Sequence, residues 1–141
     1  MEIDFAILAD GAQVVNNKLY VLGGGWDIIW PQAFPTSHRA TLAIGIMVGW
    51  NETNQRHSLA ITVRSMDDQL LQEVGKGEIE AGRPPGVPPG SSQKVMVAIT
   101  FDISLPGPGE YVIVTDINNG SVTKGLPFRV APTASSQNAP Q

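Results

Sequence analysis

The chain has 141 residues, 42% of them hydrophobic, no cysteine and a formal net charge of −4. That is one domain's worth of sequence, enough to bury roughly two-thirds of the unfolded surface in a core that needs no metal or disulfide staple. Its nine lysines and arginines are dispersed, Met1-Glu2-Ile3-Asp4 carries acids where a secretory leader would carry bases, and no apolar run approaches a bilayer span. The expectation is a soluble, cytoplasmic protein that binds neither nucleic acid nor membrane.

In chain order, residues 3–15 read as a first strand, kinked at Asp10-Gly11 and continued by Ala12-Gln13-Val14-Val15. Asn16-Asn17 supplies the positive φ angles of a tight hairpin, and residues 18–23 return as the second strand. Residues 26–30 read as a third, in which Trp26, Ile28 and Trp30 share a face if the segment is extended. Across 39–50, Leu42, Ile44, Ile46, Val48 and Trp50 alternate with Ala43, Gly45, Met47 and Gly49. That period of two marks a strand with one buried face. Asn51 to Gln55 reads as a polar hairpin loop, after which 56–65 repeats the pattern through Leu59, Ile61 and Val63.

Met66-Asp67-Asp68 reads as a shorter turn into a strand over 69–79. Residues 81–93, rich in proline, glycine and serine, are long enough to cross from one sheet to another. Val95, Val97, Ile99, Phe101 and Ile103 form the clearest alternation, over 94–104. Strands over 110–117 and 121–130 close the chain around Asn118-Asn119-Gly120, and Pro106-Gly107-Pro108-Gly109 marks a boundary no central strand could contain. The expected fold is an all-β, antiparallel two-sheet sandwich of about eight strands over residues 1–130, followed by a flexible tail over 131–141.

Three segments carry a resemblance: Phe5-Ala6-Ile7-Leu8-Ala9-Asp10-Gly11-Ala12-Gln13-Val14, then Lys18-Leu19-Tyr20-Val21-Leu22-Gly23-Gly24 with Trp26-Asp27, then Pro108-Gly109-Glu110-Tyr111 with Leu126-Pro127-Phe128-Arg129-Val130. Together they resemble a family of short, uncharacterised bacterial and phage proteins, a domain of unknown function. The closing segment also looks like the last hairpin of immunoglobulin-like sandwiches. The resemblance implies a β-sandwich with no known activity and no catalytic residue to carry over.

No constellation of reactive residues survives inspection. Gly23-Gly24-Gly25 leads into strand-like residues rather than the helix N-terminus a phosphate loop needs, and Gly86 to Gly90 lacks the lysine that ends a nucleotide loop. His38 and His57 open two strands expected to pair as a hairpin, at its opposite ends, so they read as surface residues with no shared metal. Ser58, Ser65, Ser91 and Ser92 lack a nucleophile-elbow context. Asp67-Asp68 reads as turn chemistry, and with Glu52 it shows no calcium-ligand spacing. Asn51-Glu52-Thr53 and Asn119-Gly120-Ser121 match a glycosylation acceptor but read as ordinary turns.

The expectation is therefore a protein with no cofactor or metal that is not an enzyme. Trp26, Trp30 and Trp50 remain as candidate partner-binding residues, weighed against service as core aromatics. Pro31 and Pro35 beside them suit an edge strand open to strand addition. The leading functional reading is a non-catalytic interaction or structural module that binds a protein partner or a second copy of itself. The alternatives are a lectin-like sandwich stacking sugars on those tryptophans and, further off, a carboxylate-based hydrolase.

Overall fold

The computed structural model describes residues 1–133. Nine strands form: β1 (Glu2–Val15), β2 (Lys18–Gly24), β3 (Ile28–Ile29), β4 (Thr36–Val48), β5 (His57–Ser65), β6 (Leu70–Ile79), β7 (Gln93–Leu105), β8 (Gly109–Ile117) and β9 (Val122–Val130). They make a four-stranded sheet in the order β2-β1-β4-β7 and a five-stranded sheet in the order β3-β9-β8-β5-β6. The two sheets face each other across one core, as the alternation anticipates. From β4 the chain crosses between sheets at β4–β5, β6–β7 and β7–β8, which is the Greek-key path of an immunoglobulin-like sandwich. Tyr111, near the start of β8, donates its hydroxyl to the Gly107 carbonyl at 2.8 Å, the corner contact such sandwiches use at this place.

The core comes from the alternating rows. Leu42, Ile44, Ile46 and Val48 on β4 meet Leu59, Ile61 and Val63 on β5, none more than 3% exposed. Each such side chain contributes roughly 1.5–3 kcal/mol relative to staying in water. These two rows also correct the expected β4–β5 hairpin: the strands lie in opposite sheets and face each other instead of pairing. The reversal is made by a single 3₁₀ turn, Trp50–Glu52, so β4 stops at Val48 and Trp50 lies outside it. The expected linker over 81–93 does cross between sheets, joining β6 to β7.

One pairing departs from the antiparallel expectation. β3 runs parallel to β9 through Ile28↔Arg129 and Ile29↔Val130. A crossover from the other sheet delivers β3, so no hairpin forces an antiparallel approach. Ala131, the first residue past β9, is 3% exposed and donates to the Ile29 carbonyl. Most of the expected tail, 134–141, lies outside the described residues.

The asparagine turns form as read. Asn16 and Asn17 have φ of 52° and 58°, and Asn118 and Asn119 have φ of 53° and 56°. At Asp10-Gly11 β1 does not break; it changes partner. Its register with β4 runs only as far as Ala9↔Thr41, while its register with β2 continues to Val15↔Lys18. Residues 10–23 therefore form a two-stranded arm that has left the central strand. Earlier on β1, Phe5 lies where a side chain on Gly45 would stand, so its ring covers the outer face of β4 there.

Candidate functional site

The sandwich has two unlike ends. One gathers Met1, the β4–β5 and β6–β7 connections and the β8–β9 turn. The other gathers the arm, residues 25–35, and the β5–β6 and β7–β8 turns.

The first end is tied shut by polar side chains. Glu52 accepts the Met1 ammonium at 2.9 Å and the Gly49 N–H at 2.9 Å. The hydrogen bond from the ammonium, then that from Gly49, holds its carboxyl below the usual carboxylate range, with burial opposing them. His57 is 5% exposed, which corrects the expectation of a surface histidine. Its Nε2 donates to the Glu52 carbonyl at 2.8 Å, and its Nδ1 accepts from the Asn118 amide at 2.9 Å. The Asn118 Oδ1 in turn takes the Ser58 N–H at 3.1 Å. Both ring nitrogens are thus committed to the frame, and His57 has none left for a ligand.

Trp50 belongs to this end. The Arg83 guanidinium sits 3.8 Å from the centre of its ring, donates to its carbonyl at 2.7 Å, and reaches the Thr53 hydroxyl at 2.7 Å. The contact joins the two sheet-to-sheet connections.

Trp26 and Trp30 lie at the other end, so the structure does not bring the three tryptophans together. Trp26 packs half-buried against the core and meets the His38 ring edge-on with centroids 5.5 Å apart. Its indole N–H is buried without a hydrogen-bond partner among the described residues. Ile29 turns into the core at 3% exposure, and Trp30 stands 45% exposed beyond it. The two indoles differ in exposure, and only Ile28–Ile29 between them is regular strand.

A groove of about 700 Å³ also opens at this end between the sheets. Val63, Ile103, Leu105, Tyr111 and Phe128 form much of its wall, and none of its twelve lining residues is charged. At its mouth Gln72 donates to the Asp102 carbonyl at 3.1 Å and accepts the Ser104 N–H at 2.9 Å. That amide fills one rung of the open β7 edge.

The arm is the feature sequence reading passed over. Eight large hydrophobic side chains are exposed among the described residues, and Val15 (40%), Tyr20 (56%), Val21 (39%) and Leu22 (76%) all lie on it. The available signal was electrical: between Asp10 and Asp27 the chain carries a single charge, Lys18. No group of three or more potential ligands that could hold a metal occurs among the described residues. Asp68 adopts φ of 67° in the β5–β6 turn, where its carbonyl accepts from Arg64 at 3.2 Å, the turn chemistry expected of it. No helix among the described residues is long and apolar enough to cross a membrane.

Among curated proteins none matches the chain. Residues 4–131 match a family described as Family of unknown function (DUF6941), and the chain belongs to that family.

Proposed function

We propose that this protein is a non-catalytic β-sandwich module that works by protein–protein association through its arm end. The observation that carries the reading is the concentration of exposed apolar side chains on one arm, with Trp30 exposed at the same end. A folded monomer rarely leaves such a cluster in water unless something binds it. The uncharged lining of the groove supports the non-catalytic part, since it offers no carboxylate, histidine or lysine to a substrate. A cytoplasmic setting is supported by the absence of cysteine, and a bacterial or phage origin by the resemblance alone.

A sugar-stacking platform has less behind it. Trp50 already carries the Arg83 guanidinium and Trp26 is half-buried, which leaves Trp30 as a lone stacking surface. Light scattering across a wide concentration series tests the proposal: the mass should rise toward a multiple of the single chain. A single-chain mass throughout removes the self-associating form of the reading.

A further inference from the structure

The two strand orders have four edge strands, and three of these are guarded. β7 has one rung occupied by Gln72 and carries Lys94 and Asp102. β6 carries Glu73, Lys76 and Glu78, and its pairing with β5 shifts register twice. β3 is only two residues long. Charges, bulges and shortness are the usual devices that keep an edge from recruiting another strand. β2 has none of them along Leu19-Tyr20-Val21-Leu22: no proline, no charge and no register shift against β1.

We infer that the β2 edge pairs, antiparallel and about a twofold axis at Val21, with the β2 edge of a second copy of this chain. The inference rests on the proposed associating role and names its occupant. In this register Val21 stands opposite its own copy. Tyr20 stands opposite the second copy's Leu22, and Leu22 opposite its Tyr20. The two most exposed apolar side chains on the arm thus cover each other twice, as directly opposed residues on one face of an antiparallel pair.

Charge selects the same register. Lys18 comes opposite Gly24 of the other copy, where no side chain stands against it. The two lysines stay at opposite ends of the ribbon, about 20 Å apart at the usual strand rise and beyond the Debye length. A twofold at Tyr20 would instead set Lys18 against Leu22, leaving an ammonium beside the most exposed apolar side chain. Pairing at Val21 joins the two four-stranded sheets into one continuous sheet.

The chain has no cysteine, so a single introduced thiol reports directly. Under mild oxidation Val21→Cys should cross-link into a disulfide dimer, because opposed residues in such a pair bring their Cβ atoms within disulfide reach. Tyr20→Cys, whose two copies sit offset along the strands, should cross-link far less. Leu22→Lys should raise the dimer dissociation constant at least about thirtyfold, the size expected for a central apolar contact, while circular dichroism stays that of the parent.

If light scattering shows dimers, Leu22→Lys leaves them intact and Val21→Cys does not cross-link, this edge is overturned while self-association stands. If the parent scatters as a single chain at every concentration, both fall, and the arm is left to a strand from a different protein.

Discussion

The two ends of the sandwich receive the same kind of material, turns and crossover segments, and treat it oppositely. At the Met1 end polar side chains tie segments together: Glu52 to Met1 and Gly49, His57 to Glu52 and Asn118, and Arg83 to Trp50 and Thr53. At the arm end the chain leaves apolar side chains in water and an edge unguarded. An immunoglobulin-like sandwich needs closure at each end to keep water from its core. Here one end supplies its own, while the other leaves the arm's apolar side chains exposed. The difference separates the residues that hold the fold from those on the proposed associating surface.

The largest effect that sharpens this contrast is expected at Asn118. Asn118→Ala removes the bonds to Ser58 and His57 and forces alanine into the left-handed region at φ of 53°. Stability in urea should fall by about 3 kcal/mol, the sum expected for two lost contacts and a strained backbone. Asn118→Gly keeps the backbone relaxed and should recover about 1 kcal/mol of that. A total loss below that of one ordinary hydrogen bond would mean the Met1 end is not the tied one.

The matching deletion at the arm end is Tyr111→Phe. It removes the bond to the Gly107 carbonyl and keeps the ring stacked on Phe128, with centroids 5.5 Å apart. The expected loss is about 1 kcal/mol by the same measurement. Equal losses at Asn118 and Tyr111 would erase the contrast.

Why one end was easier to read than the other follows from what alternation encodes. Period two gives the buried face of a strand, so β4, β5 and β7 were legible with their inner rows. It does not say which strand lies alongside, and the polar loop after Trp50 looks the same whether it closes a hairpin or carries the chain between sheets. His57 was readable: it shares parity with Leu59, Ile61 and Val63, and parity places it on the core face. A shared face for Trp26 and Trp30 requires an extended segment, and alternation alone does not reveal that only Ile28–Ile29 is regular strand. The consecutive apolar run of β2 has the look of a strand buried on both faces. The structure leaves it on an arm, because β1 abandons β4 after Ala9.

The smallest expected effect tests whether a single charge contributes to the closed end. Glu52 has its carboxyl held below the usual range, chiefly by the Met1 ammonium and then by the Gly49 N–H. A carboxylate whose folded value is depressed stabilises the fold at pH above its unfolded value, here near 4.5, and loses that contribution as pH falls through the folded value. Parent and Glu52→Gln should therefore differ at neutral pH and converge in acid. The side chain is 34% exposed, so solvent screening keeps the neutral-pH difference below about 1 kcal/mol. Urea midpoints measured across an acid series would show it. A gap that stays constant with pH would mean that shape, not charge, holds Glu52 in place. Because the pair lies at the opposite end from the arm, Glu52→Gln should leave the light-scattering mass unchanged, and a change there would couple the two ends that the structure separates.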